Sequence, residues 1–216
     1  MSKPNRVQAK FQDRGLSMWE GRFAASDSYV FGTDPAAFLT DHAQFLEKGA
    51  RALVLADGEG RNSVWMAQQG MDVTAQEFSP TALGRARALA DQRGVALDLE
   101  QSDIFSRDWA PERFDLVAGI FIQFADPEGR RRIFDGIKRT LKPGGLALLH
   151  GYTPKQITYG TGGPPFADNM YSEVILRGAF AGWEVLECRE YDRDIREGRG
   201  HAGMSALIDF VARKPA

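Results

Sequence analysis

The stretch Asp57-Gly58-Glu59-Gly60-Arg61-Asn62-Ser63 sets two glycines one residue apart amid polar side chains. Glycines at that spacing let the backbone turn sharply and approach a ligand that a Cβ would push away. A helix beginning just after them aims its free N–H groups at the same place. Nineteen positions after Gly58 comes Glu77, at the end of a second strand-like stretch, Asp72 to Gln76. A carboxylate there can accept from both hydroxyls of a ribose. Asp103 with Ile104 offers a carboxylate for an adenine amino group and an apolar face for its ring. Gly119-Ile120-Phe121 supplies further apolar cover, with Ile120 against the opposite face of the ring.

These residues act together only if the chain folds to gather them, and the hydropathy pattern says how. Ala52 to Ala56 is an apolar run too short for a helix and reads as a buried strand. Asn62 to Gln69 reads as a helix stopped by Gly70, and Asp72 to Gln76 as a second strand. Ser79-Pro80 caps a helix that closes at Gly94. Val95 to Glu100, Phe114 to Phe121 and Leu146 to His150 supply three more strands. A helix opening at Asp126-Pro127 ends before Lys142-Pro143-Gly144-Gly145. Upstream, Asp34-Pro35 starts a helix with Phe38, Leu39, His42, Phe45 and Leu46 on one face. Downstream, a helix near residues 170–180 precedes two strand-like runs, Trp183–Tyr191 and Met204–Ala212, which read as an edge hairpin.

Alternation of strand and helix demands crossover connections. The expected fold is α/β: a Rossmann-like, doubly wound, seven-stranded, mostly parallel sheet with an antiparallel C-terminal hairpin strand and helices on both faces. In such sheets ligands bind beyond the carboxyl ends of the strands, where the strand order reverses. The expected division is an N-terminal arm and aromatic lead segment over 1–34 and one domain over 35–216. An acceptor-side insertion is expected at 153–180.

Composition narrows the function classes. The 216 residues suffice for one domain with a sizeable core. A formal charge of −2 gives no general pull toward nucleic acid or an anionic membrane. Cys188 is the single cysteine, which excludes an intrachain disulfide or a multi-cysteine metal site, and no metal is expected. No run approaches the roughly 20 apolar residues of a membrane span, and the start lacks the apolar core of a secretory signal. The expectation is a cytoplasmic monomer or homodimer acting on a small molecule.

The glycine turn, an acid after each of strands two and three, and Lys142–Gly145 before strand five occur in one order. In that order the chain resembles the class I methyltransferases that use S-adenosylmethionine. The residues Gly58 to Trp65, Tyr152-Thr153-Pro154 and Thr161-Gly162-Gly163-Pro164-Pro165 are similar to the tellurite-resistance and thiopurine methyltransferase-like branch. The resemblance implies that Gly58 and Gly60 border the methionine part of the cofactor. It also implies that Glu77 holds the ribose and that Asp103 with Ile104 holds adenine. Gly32, Asn62 and Phe78 complete the expected lining, with S-adenosylhomocysteine as product. Two positions depart from the pattern: Val54 stands where the family has an acid, and Ala56 at its first glycine. Asp57 or a backbone carbonyl is the expected substitute anchor for the cofactor's amino group.

Methyl transfer from a sulfonium is an in-line displacement that needs alignment and dryness, not a covalent nucleophile. Tyr29 and Phe31 are candidates to face the sulfonium, each such contact being worth roughly 0.5–2 kcal/mol. His201, in a glycine-rich turn between the last strands, Tyr152 and Gln123 are the candidates on the acceptor side. Tyr159 and Tyr171 are further candidates to line that pocket. His42 and His150 read as structural, Cys188 as a packed small residue. Arg189, Arg193 and Arg196 read as a solvated face that would also suit an anionic acceptor. Two alternatives remain open: a nucleotide-dependent oxidoreductase, since Ser63 supplies the small residue three positions after Gly60, and a catalytically silent S-adenosylmethionine sensor.

Overall fold

The computed structural model describes residues 15, 17–198 and 202–216. Seven strands form one sheet: β1 Arg51–Leu55, β2 Asp72–Glu77, β3 Asp98–Gln101, β4 Phe114–Ile120, β5 Leu141–Tyr152, β6 Glu184–Arg196 and β7 Ala202–Arg213. Their order is β3-β2-β1-β4-β5-β7-β6. β1 to β5 pair in parallel, and β7 runs antiparallel to both β5 and β6. The chain winds from β1 outward to β3, then returns to the other side of β1 as β4. The order therefore reverses between β1 and β4, where an open α/β sheet leaves a crevice at its carboxyl end.

Side chains alternate across the central strands, and each set feeds a different core. Leu53 and Leu55 pack with Ile133, Phe134 and Ile137, from a helix over Pro127–Thr140 (α5). Ala52 and Val54 join Phe38, Leu39 and Met66 on the opposite face. That face carries α2 (Ala37–Asp41) and α3 (Arg61–Gln68), with α4 (Pro80–Arg93) docked on α3 through Val64, Leu89 and Ala90. A first helix, α1, spans 17–24. Two short helices, α6 (Gln156–Tyr159) and α7 (Glu173–Ala179), lie in the stretch between β5 and β6.

Capping side chains fix the helix starts that the sequence marks. Ser79 Oγ accepts the Ala82 N–H at 3.0 Å, and Asp126 Oδ1 accepts the Gly129 N–H at 2.8 Å, each followed by proline in the first turn. Such caps stabilise a helix by about 1 kcal/mol. Gly94 ends α4 in the left-handed conformation, at φ 69°.

Several boundaries differ from the hydropathy reading. The helix expected through Leu46 stops at Asp41 and continues as a 3-10 turn over Ala43–Phe45. The helix expected near 170–180 is the shorter α7. The last two strands are longer than their apolar runs, because hydrogen bonding to a partner carries them past the point where burial ends. The two strands do form the expected hairpin at the sheet edge, with β6 outermost. β7 is buried over eight consecutive residues and inserts between β5 and β6, while β6 is largely exposed. The charges along β6 blunt the open edge it presents.

Candidate functional site

At the carboxyl end of β1 the backbone leaves the strand through Ala56, whose φ of 44° is left-handed. This is the position where the related motif has glycine, and the conformation persists although the glycine does not. Across the crevice Phe121, just past β4, is also left-handed, at φ 57°. Non-glycine residues rarely adopt such angles, and strain of this kind collects at functional sites. Two of the three such residues among those described thus flank the point of strand reversal; the third, Glu112, precedes β4.

The turn itself is a web of backbone contacts. The Gly58 N–H donates to Glu77 Oε2 at 3.0 Å, and Glu77 Oε1 accepts from the N–H groups of Phe78 and Ser79. The Asp57 N–H donates to the Gln76 carbonyl, and the Gln76 side chain links the Ala56 N–H to the Ser102 carbonyl. β1, β2 and β3 are thereby tied together at their ends. Gly60 has φ 91°, and a Cβ there would lie 2.8 Å from Ala86 of α4, so only glycine allows this approach.

Every polar side chain of the motif clamps something. Glu59 accepts the Val30 N–H at 2.6 Å and pairs with Arg85 of α4. Asn62 Oδ1 accepts the Ala36 N–H at 3.0 Å. Arg61 pairs with Glu197, which precedes the β6–β7 turn, at 2.9 Å. Asp57 accepts from the Ser63 hydroxyl and N–H. The lead segment and the hairpin tip are so drawn onto the turn. Gly198 presses against the Phe31 backbone, too close for any side chain.

Two buried carboxylates lie beneath the turn. Burial pushes the Asp57 carboxyl up to about 6, against the hydrogen bonds from Ser63 and with the repulsion of Glu77 added. Burial likewise raises the Glu77 carboxyl, against three backbone N–H donors. Desolvation and a like-charged neighbour both disfavour the ionised form, so a positive group arriving here would relieve both.

The remaining candidates fall into distinct surroundings. Asp103 Oδ1 accepts the Phe105 N–H at 3.0 Å, so the carboxylate turns the chain after β3. Ile104 is buried with Leu55 and Ile122, Ile120 is buried in the opposite core, and Phe78 is half-buried beside Glu77. Gly32 follows the lead aromatics at φ 74°. The Tyr29 hydroxyl donates to the Arg85 carbonyl at 3.2 Å and its ring packs by Val64 and Leu89, which directs it onto α4 instead of toward a sulfonium. Phe31 packs with Trp19 and Phe23, and the cation over its ring is Arg22, 5.3 Å away. Asp57 and Asn62 each hold a protein partner as well, the Ser63 hydroxyl and N–H and the Ala36 N–H.

On the acceptor side Gln123 proves to be a brace. Its Oε1 accepts the Tyr152 N–H at 2.6 Å and its Nε2 donates to the Tyr152 carbonyl at 2.7 Å. One donor and one acceptor position of the amide are therefore given to the end of β5. Tyr152 is buried against Phe121, with ring centroids 4.9 Å apart. Burial, then the charge of Glu197, raise its phenol well above the ordinary range, with Arg61 opposing them, so it stays protonated at neutral pH. Tyr171 is buried in the core on Phe134, and Tyr159 lies beside Lys155. His201 lies outside the described residues.

Behind β5 and β7, His150 Nδ1 meets Asp209 Oδ1 at 2.7 Å and His42 Nε2 meets Glu187 at 2.8 Å. Burial alone would raise the Asp209 carboxyl, but bonds from His150 and Tyr191 hold it below its usual value. His42, Glu187 and Asp209 bring ligand-type atoms within 4.8 Å of one another. Those atoms are bonded to protein partners, as befits a structural network. Arg189 pairs with Glu187 and Asp209, and Arg193 with Asp41, on a solvated face. No helix among the described residues is long and apolar enough to cross a membrane.

Comparison with known proteins agrees with this geometry. Residues 52–145 match the methyltransferase domain family model. An uncharacterized methyltransferase from Synechocystis is 33% identical over 109 residues, covering 48% of each chain. The chain thus spans about half the length of that curated relative. Among solved structures, TehB from Haemophilus influenzae superposes with a TM-score of 0.68 at 18% identity, over 92% of this chain and 66% of that one. The N-methyltransferase NodS from Bradyrhizobium japonicum, in complex with S-adenosylhomocysteine, gives 0.68 at 16% identity, over 93% and 98%. The antiparallel β7 between β5 and β6 also separates this sheet from the all-parallel 3-2-1-4-5-6 order of the classic dinucleotide fold. Residues 52–145 thus match the methyltransferase domain family model, in a chain whose described residues have the fold of the class I S-adenosylmethionine-dependent methyltransferases.

Proposed function

We propose that the protein is an enzyme that binds S-adenosylmethionine at the Gly58–Gly60 turn and transfers its methyl group to a small-molecule acceptor. The observation that carries this reading is the buried Glu77 carboxylate held against the Gly58 N–H at the point of strand reversal. A carboxylate so placed suits a ribose diol, and Asp103 with Ile104 one strand farther out suits adenine. The residues fit the cofactor in charge as well, since Asp57 and Glu77 form an acidic floor that a positively charged donor would stabilise.

Bound S-adenosylmethionine supplies an activated methyl group on its sulfonium. The protein's part is to hold the acceptor in line and to exclude water. The lead segment and the hairpin tip, fastened through Glu59, Asn62 and Arg61, cover the crevice. Gln123 fixes the end of β5, and Tyr152, which keeps its proton, is suited to orient an acceptor by a hydrogen bond. The stretch 153–180 forms the acceptor-side wall. Its Thr161–Pro165 loop is fastened by Thr161 to the Met204 carbonyl at 2.5 Å and by Gln156 to Thr161 and Gly162. Similarity to the tellurite-resistance branch favours an oxyanion, thiol or small aromatic acceptor.

Calorimetry with S-adenosylhomocysteine and NAD, followed by transfer of labelled methyl to a panel of those acceptors, tests the reading. Binding of the first ligand alone with turnover supports it. NAD binding would restore the oxidoreductase, and donor binding without turnover on any acceptor would favour a sensor.

A further inference from the structure

The motif lacks one charge. Val54, where the related proteins have an acid, is 1% exposed and packed in the apolar cluster with Phe38, Ala118 and Leu148. Strand β1 therefore presents no carboxylate to the crevice, and the carboxylate of Asp57 is bound to Ser63. The amino acid end of a methyl donor would have to be held by something else.

A pair of opposite charges stands over the same place. Arg61 opens α3 directly after the glycine turn, and Glu197 comes from the far end of the chain, at the hairpin tip. Their side chains are 8% and 10% exposed, with Arg61 Nη2 2.9 Å from Glu197 Oε2. Glu197 Oε1 accepts the Ala37 N–H. Yet Arg61 Nη1 has no hydrogen-bond partner among the described residues. Glu197 Oε2 has the ion pair with Arg61 Nη2 and no hydrogen-bond donor beyond it among the described residues. Leaving such groups buried and unsatisfied costs about 1–3 kcal/mol each, more when charged, so they take up water, an ion or a ligand that reaches them. The position is also suitable. Arg61 is near enough to Asp57 and Tyr152 for its positive charge to oppose the burial that raises both groups, which puts its guanidinium within reach of the cofactor turn and the end of β5.

An α-amino acid head carries a carboxylate and an ammonium on one carbon. A guanidinium and a carboxylate side by side, each with a free hydrogen-bonding position, are its complement. We propose that Arg61 and Glu197 bind the α-amino acid head of S-adenosylmethionine, in place of the acid absent at Val54. Arg61 Nη1 donates to the carboxylate of the head, and Glu197 Oε2 accepts from its ammonium. This rests on the donor-site reading above. It makes the hairpin tip part of the donor site, so that binding fastens the cover as well as filling the crevice.

The test compares two ligands by calorimetry on the wild type, Arg61→Ala and Glu197→Gln. S-adenosylhomocysteine has the amino acid head, and 5′-methylthioadenosine keeps the nucleoside without it. The expected result is an affinity loss of about tenfold or more for S-adenosylhomocysteine in each variant, with methylthioadenosine affected less than about twofold. Glu197→Gln keeps the shape of the side chain, so a folded variant remains if Arg61→Ala is unstable. Equal losses for both ligands, or no loss for either, would overturn the assignment while leaving the donor site in place. Unchanged S-adenosylhomocysteine affinity with a raised acceptor KM would overturn it too, and give the pair to an anionic acceptor. A wild type that binds neither ligand would overturn the donor-site reading itself.

Discussion

The proposed donor side of the crevice starts from neighbours in sequence, and the proposed acceptor side from strangers. Asp57, Gly58 and Ser63, with Glu77 on the next strand, form a turn whose hydrogen bonds run to groups nearby. The proposed acceptor side joins Gln123 after β4 to Tyr152 at the end of β5, with Thr161 of the 153–180 stretch bonded to the Met204 carbonyl of β7. The first arrangement is fixed once β1, β2 and α3 form. The second exists only when the hairpin has crossed the sheet and reached the lead segment. A short motif therefore suffices to locate the donor, whereas the acceptor wall is free to change with the length and sequence of distant loops.

Four substitutions probe that contrast. The largest effect is expected from the acidic floor of the donor side. Asp57 has its carboxyl raised from 3.8 to about 6 in the fold. A raised carboxyl favours the protonated form, so its stabilising contribution is complete below pH 3.8 and is lost as pH rises through 6. The loss is on the order of 3 kcal/mol. Urea unfolding of the wild type should show this fall, and Asp57→Asn should flatten it. Parallel pH profiles for the two proteins would remove Asp57 as its source.

Next comes Gln123→Ala on the acceptor side, which leaves the Tyr152 N–H unpaired and should cost about 2 kcal/mol. Chemical unfolding measures that loss, and S-adenosylhomocysteine affinity should stay near wild type if the two sides are separable. A large affinity loss in the folded variant would show that they are not. Third, Glu77→Ala should weaken S-adenosylhomocysteine binding by about tenfold, or about 1.4 kcal/mol; unchanged affinity in a folded variant would sink the ribose assignment. The smallest effect is expected from Tyr29→Phe. It loses one hydrogen bond to Arg85, about 1 kcal/mol of stability, and should leave the ratio of S-adenosylmethionine to S-adenosylhomocysteine affinity unchanged. A shifted ratio would return Tyr29 to the sulfonium.

Much of the frame was legible because its signals are local. Ser79-Pro80 and Asp126-Pro127 mark helix starts through bonds made within four residues. The apolar runs at 52–56 and 114–121 are too short for buried helices and could only be strands. The parts that escaped depend on partners far along the chain. β6 and β7 extend beyond their apolar runs because each completes the other's ladder. Tyr29 and Phe31 have the composition of a ring cage, but only packing decides which face they present. Arg61, Asn62 and Glu59 read as solvated motif residues, and each instead bonds a segment that no spacing rule places beside it.

By itself the sequence determined the order of elements, the sheet class and the place of the glycine turn, since strand and helix periods and caps are set by nearest neighbours. It also showed the charge missing at Val54. Only the tertiary structure decided that Ala56 keeps the backbone angle of a glycine, that Gln123 serves β5, and that Arg61 meets Glu197 over the crevice. Those outcomes depend on long-range packing, in which the same side chain takes whichever partner the fold brings within reach.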